Sequence, residues 1–327
     1  MKFPTVPASY FGMVLGLTGL GNAWRGAHLA WGLPAAVGEL VMLVGGVVWA
    51  LVTVCYVAKW IVAREDALAE LVHPVQCCFV GLAGVATMLV AGGLAPHTRD
   101  AGLALYVIGG LFTFGFAVWR TGGLWLGGRD PDTTTPVLYL PTVAGSFVAA
   151  IVGSAFGIGD LGQYFLGMGL FGWLAIESVL LHRLLTQPGM ASALRPTLGV
   201  QLAPPVVGAV ALLAAVPQVP FAVAHAMIGY GILQVLVLIR LLPWIFRQPF
   251  APSYWAFTFG ITALATGPIR LVAMGDHGVV RVLAPILFGL ANVVVVLIAV
   301  GTLYRLLGAG SHSPAAAAVP APSTPVT

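Results

Sequence analysis

An all-α membrane protein of ten transmembrane helices, paired as five helical hairpins, is the fold class this sequence predicts. Three observations carry it. Of 327 residues, 59% are hydrophobic and only 7% charged, against roughly 25% charged in water-soluble domains. Glycine occurs 42 times, and membrane helices use it because small residues let backbones approach where no hydrophobic effect drives them together. Apolar runs of about 20 residues, the length that crosses a bilayer core, recur from one end of the chain to the other.

The runs lie near 7–26, 35–59, 74–94, 101–125, 138–157, 161–183, 198–216, 221–245, 253–273 and 280–306. Proline opens each odd-numbered run, at Pro7, Pro74, Pro141, Pro204 and Pro252, at intervals of 67, 67, 63 and 48 residues. A first-turn proline costs a helix little, since its missing N–H has no intrahelical partner there. The spacing therefore reads as five repeats of one odd and one even helix. An even count puts both termini on one side. Ten Lys and Arg fall on that side (Lys2, Lys59, Arg64, Arg120, Arg129, Arg183, Arg195, Arg240, Arg247, Arg305) and four on the other (Arg25, Arg99, Arg270, Arg281). The excess makes the terminal side cytoplasmic. The helical domain is expected over 1–308, and the Ala/Pro/Ser-rich stretch 309–327 reads as a disordered tail with too little to bury.

Net charge is +4, but the basic residues are scattered, so no nucleic-acid surface is implied. Cys55, Cys77 and Cys78 sit inside apolar runs without metal or disulfide spacing and read as packing thiols. No HxxxH pair and no GxSxG elbow occurs, so an enzyme, a metal site and a bound cofactor are not expected. His73, at a helix mouth, reads as an interfacial cap.

Odd and even runs differ in chemistry. The odd runs hold no Asp or Glu; apart from Arg25 and Arg270 near their far ends, their polar residues are uncharged and include Thr18, Thr87, Ser146, Gln201, Thr262 and Thr266. The even runs hold Glu39, Glu177, Arg120 and Arg240. An ionisable group in lipid is costly and marks function or pairing, so Glu177, Arg120 and Arg240 are candidates for an intramembrane ionic cluster, with Glu39 nearer the opposite interface. Two readings of the odd set stay open. They line a narrow neutral conduit in which anions meet no repelling carboxylate, or they form a packed core whose hydroxyls bond carbonyls one turn back.

The stretch SYWAFTFGITALAT, 253–266, bears on that choice. At helical spacing, Trp255, Phe259, Thr262 and Thr266 share one stripe, and Phe257, Ile261 and Leu264 share an apolar one facing lipid or the outer layer. The mixed stripe suits a pore wall. Phe259 would project into it and expel water, so that an ion must shed hydration to pass.

At these residues the chain resembles the tellurite-resistance/dicarboxylate transporter family, the bacterial relatives of plant slow-type anion channels. The shared words are PASYFGMVLGL (7–17), HPVQCCFVGLAGVATMLV (73–90), LYLPTVAGSF (138–147), LGVQLAPPVVG (198–208), LIRLLPWIF (238–246) and YWAFTFGITALA (254–265). The resemblance implies a quasi-fivefold central pore lined by the odd helices, a homotrimer in the lipid of a bacterial inner (plasma) membrane, and a pore-plugging phenylalanine at the position of Phe259. Small inorganic or organic anions are the implied permeants. Family members carry a kinking proline where this chain has Val14 and Gly84. The function expected is an anion-selective channel gated by Phe259. The alternative is a proton-coupled C4-dicarboxylate or tellurite carrier, for which Glu177 is the available carboxylate.

Overall fold

The computed structural model describes residues 5–308; the expected tail at 309–327 and Lys2 lie outside them. Every regular element among the described residues is helical. In chain order the α-helices are α1 (Phe11–Trp31), α2 (Ala35–Val62), α3 (Arg64–Val72), α4 (Cys77–Val80), α5 (Leu82–Leu94), α6 (Arg99–Trp125), α7 (Gly145–Ala155), α8 (Gly159–Thr186), α9 (Ala203–Ala215), α10 (Phe221–Ile245), α11 (Thr258–Ala273) and α12 (Val280–Gly308).

Nine helical segments among the described residues are long and apolar enough to cross a membrane, one fewer than the sequence suggests. The exception is α1. Its 21 residues reach about 31 Å at 1.5 Å per residue, but Asn22, Arg25 and His28 dilute its second half.

The helices sort into two layers. In the segments containing α5, α7, α9 and α11, 67–83% of the apolar window is buried inside the protein, against 22–33% for α2, α6, α8, α10 and α12. Each inner helix packs on the outer helix that follows it: α1 on α2, α5 on α6, α7 on α8, α9 on α10, α11 on α12. The inner helices also touch in succession, α1 with α5, α5 with α7, α7 with α9, α9 with α11, and α11 with α1. Outer faces rich in exposed Leu, Val and Ile suit hydrocarbon.

The inner segments share a second feature, an irregular first stretch. Tight 3-10 turns precede α1 (Ala8–Tyr10), α9 (Ser192–Leu202) and α11 (Pro252–Phe257). A break at Gly81 separates α4 from α5. Before α7 lie a 3-10 turn, Pro136–Leu138, and a five-residue π-helical stretch, Leu140–Ala144, containing Pro141. Proline lacks the N–H that continues a ladder and its ring crowds the carbonyl four residues back, which accounts for the stretches that hold Pro141 and Pro196.

Close approach sets the packing. A Cβ at Gly109 would come 2.7 Å from the Gly84 carbonyl oxygen, and one at Gly84 would come 2.6 Å from that of Gly109, so α5 and α6 touch backbone to backbone. Gly84 therefore serves contact, and the interruption in the third segment falls three residues earlier. Val14 is fully buried within an unbroken α1. Side-chain hydrogen bonds tie the layers: Trp49 Nε1 to Thr87 Oγ1 (3.0 Å), Tyr106 Oη to the Ala149 carbonyl (2.9 Å), and Trp24 Nε1 to Asn292 Oδ1 (2.9 Å). Such bonds average about 0.6 kcal/mol in membrane interiors. At the end away from the inner-helix starts, Arg25 grips Glu39 with two bonds of 2.7 Å, and His97 reaches the same carboxylate at 2.9 Å.

Candidate functional site: an apolar cavity inside the inner ring

A cavity opens among the first halves of the inner segments, and all five contribute to its wall: Ser9, Gly12 and Leu15; Phe79 and Leu82; Tyr139, Leu140, Val143, Ala144 and Phe147; Val200, Ala203, Pro204 and Val207; and Pro252, Ser253, Trp255, Ala256 and Phe259. About 50 Å³ of it is open to the centres of water-sized spheres, room for a few waters at the ~10–15 Å³ each needs on this measure. The wall carries no charged side chain.

The irregular starts supply much of the wall: Ser9, Leu140, Val143, Ala144, Val200, Pro252, Ser253, Trp255 and Ala256 all belong to the 3-10 and π stretches. The lining residues farthest along each segment are Leu15, Leu82, Phe147, Val207 and Phe259, an apolar collar with one residue per inner helix. Phe147 is fully buried, wedged against Gly169 and Gly208, and Leu15, Leu82 and Val207 are buried. Phe259 alone among the five keeps partial exposure, and its ring lies over Gly19, where a Cβ would stand 3.4 Å from Cδ2.

The residues expected to line a passage divide. Phe259 and Trp255 reach the cavity, although the Trp255 indole N–H turns outward to Thr302 Oγ1 on α12 (2.9 Å). The hydroxyls of Thr18, Thr87, Ser146 and Thr266 donate to carbonyls one turn back, at 2.7, 2.8, 2.7 and 2.8 Å, and Thr262 donates to the Phe259 carbonyl at 3.0 Å. None of these five, nor Gln201, lines this cavity. Thr258 and Thr262 lie in the space left by Gly16 and Gly19, so that edge of α11 seals against α1. Phe257 and Ile261 face a groove shared with α10 and α12.

Glu177 meets neither Arg120 nor Arg240. Its Oε2 accepts from Tyr139 Oη, from Trp173 Nε1 (3.1 Å) and from Gln201 Nε2 (2.8 Å); its Oε1 accepts from Tyr230 Oη (2.6 Å). The carboxylate is thus buried among four neutral donors drawn from four segments. Tyr139 joins it to the cavity, because its ring is also part of the wall. Arg120 donates to the Pro74 carbonyl (3.2 Å), and Arg240 is exposed on the outer face of α10. The charges lie apart because even helices present different faces, Glu177 inward and Arg240 outward.

Sequence reasoning missed Phe79, Tyr139 and Phe147. The proline register was the available signal: Phe147 stands six residues past Pro141, as Phe259 stands seven past Pro252.

An inner ring of glycine-rich helices around an uncharged cavity, jacketed by lipid-compatible helices, defines an integral membrane protein of the channel or transporter class. Residues 5–303 match the voltage-dependent anion channel family, and the chain belongs to it. It is 34% identical over 308 residues to a tellurite resistance protein TehA homolog of Haemophilus influenzae, covering 93% of this chain and 92% of that one. An uncharacterized transporter of Methanocaldococcus jannaschii is 26% identical over 64% of this chain and 67% of its own length. An S-type anion channel of Arabidopsis thaliana is 24% identical over 91% of this chain, which spans 48% of that longer protein.

Proposed function

We propose that this chain is an anion-selective channel of a bacterial inner membrane, its termini cytoplasmic, working as a homotrimer with one pore per protomer. In this reading the ten segments form five hairpins about a quasi-fivefold axis, and the inner-ring cavity is the cytoplasmic half of the pore. One observation carries it: all five inner segments contribute to a carboxylate-free cavity whose deepest partly exposed side chain is Phe259. Fixed negative charge would exclude anions and concentrate cations; a neutral wall does neither, and selection then rests on dehydration cost. Phe259 occludes the passage, because a phenyl ring offers an ion no hydrogen bond in place of water.

Reversal potentials in planar bilayers under chloride, nitrate and malate gradients test the proposal. Nernstian shifts that follow the anion are expected. Shifts that follow the cation, or none, overturn it.

The Glu177 cluster favours a second reading, a proton-coupled carrier, because this buried carboxylate joins the cavity wall through Tyr139. In that case Glu177→Gln abolishes pH-driven anion uptake into liposomes. Passive flux retained without pH coupling leaves the channel reading standing.

A further inference from the structure

A pair of arginines stands outside the cavity, and among the described residues no carboxylate is in hydrogen-bond contact with either. Arg120 lies near the end of α6. Beyond that helix Gly127 and Gly128, at φ 83° and 75°, turn the chain through left-handed conformations that favour glycine, and this brings Arg129 back toward α6 and α4. Both guanidinium groups then donate Nη2 to one acceptor, the Pro74 carbonyl oxygen, each at 3.2 Å. The two cationic nitrogens are therefore no farther apart than twice that distance. The thiols of Cys77 and Cys78 reach the same oxygen at 3.8 and 3.9 Å.

Most of the donor capacity is unspent. Each guanidinium carries five N–H groups in a planar fork. Arg120 uses one within the protein and Arg129 two, the second going to the Thr133 carbonyl at 2.5 Å. The Nε atoms of both are buried without a partner. The neighbouring acids are otherwise engaged: Asp130 accepts the N–H of Asp132 (2.9 Å), and Asp132 faces Arg183 at 3.6 Å. Burial pushes the Arg129 guanidinium below its usual range; the neighbouring charge of Arg120 acts the same way, and the Cys78 and Cys77 thiols and Asp130 oppose it. Two like charges this close, partly desolvated and with no carboxylate in hydrogen-bond contact, are held at a cost that an interposed dianion reverses.

We propose that Arg120 and Arg129 form a binding site for a phosphate group at the membrane surface where the inner helices begin. The paired forks match tetrahedral oxyanion geometry with charge-assisted bonds, and a ligand there would brace the loop after α6 against Pro74, the residue that opens the third inner segment. The phosphate could come from solution or from an anionic lipid; Trp125 and Leu126, 85% and 89% exposed beside the site, form an apolar shoulder at headgroup level.

The test uses the full chain in detergent, following melting temperature and native mass spectra. One arm adds inorganic phosphate against chloride at equal ionic strength; the other adds phosphatidylglycerol against phosphatidylcholine. A rise in melting temperature with phosphate identifies a free anion, and retention of phosphatidylglycerol alone identifies a lipid headgroup. Either supports the site if affinity falls about tenfold or more, the loss of one charge-assisted bond, in Arg120→Gln/Arg129→Gln and not in Arg240→Gln. Phe259→Ala must retain the effect, which separates this site from the pore. Should the double variant fail to fold, Arg129→Gln alone, on the loop, carries the same expectation. No response to either ligand in the parent protein, or an undiminished response in the arginine variants, overturns the proposal.

Discussion

Phe259→Ala is the perturbation with the largest expected effect on conduction. Phe259 lines the cavity and is the one collar residue that is not fully packed away, so truncation widens the cavity without opening a gap in the packed seams. The cavity now offers only about 50 Å³ to water centres. Removing six ring carbons admits about three more waters at ~30 Å³ each. An anion that keeps even one additional charge-assisted hydrogen bond at the collar gains about 1.5–3 kcal/mol, and at 1.36 kcal/mol per decade that is roughly a ten- to hundredfold rise in flux. Because the ring is only partly buried, the stability loss should stay below the ~3–5 kcal/mol typical of a fully buried Phe. The assay is single-channel recording in planar bilayers, with monodispersity checked beforehand. A monodisperse variant whose conductance stays within about twofold of the parent would refute the occlusion argument.

Three further expectations concern the frame that holds the collar. Lys59 and Glu70 form a buried pair at 2.7 Å, with side chains 8% and 7% exposed, and Glu70 Oε1 also accepts the Ala8 N–H at 2.8 Å. Lys59→Met strands the carboxylate and should cost about 3–5 kcal/mol, read by thermal unfolding in detergent; Lys59→Met/Glu70→Leu should recover most of it. Gly109→Ala puts a Cβ 2.7 Å from a backbone oxygen that cannot swing aside, so a loss of about 1–3 kcal/mol is expected in the same measurement. His73 Nδ1 accepts the N–H groups of Val75 and Gln76, each at 3.1 Å, so the fold uses the unprotonated ring, and burial lowers its pKa from 6.5. A lowered value means the unfolded chain binds the proton more readily. The cap's contribution is full above 6.5 and is lost as pH falls through the lower folded value; His73→Asn should flatten that part of the stability profile.

The fold was legible in the sequence because the bilayer imposes length and hydropathy on each span. Segment boundaries near 35–59, 101–125 and 221–245 fall inside α2, α6 and α10 since those outer helices are apolar over most of their length. The first segment misses the same criterion because Asn22, Arg25 and His28 fall in the second half of α1, whereas the other four inner segments meet it. Arg25 is neutralised by Glu39 across two 2.7 Å bonds, and a shielded charge needs no apolar neighbours.

The site was less legible because composition does not fix direction. Thr262 and Thr266 share a helical stripe with Phe259, yet their hydroxyls end on carbonyls of their own helix. The reason lies on another segment: Gly16 and Gly19 leave hollows in α1 that Thr258 and Thr262 fill, which rotates α11 and leaves Phe259 as its deepest contact with the cavity. Glu177 follows the same logic. Its sequence neighbours gave no hint of Tyr139, Gln201 and Tyr230, between 24 and 53 residues away, and a search for a basic partner could not find a carboxylate held by neutral donors. Four hydrogen bonds stand in for a counter-ion there, and that substitution leaves the cavity wall uncharged despite an acid one side chain behind it. A lysine or arginine in the same place would have put a fixed positive charge beside the cavity, and in the proposed channel that charge would trap the anions to be released.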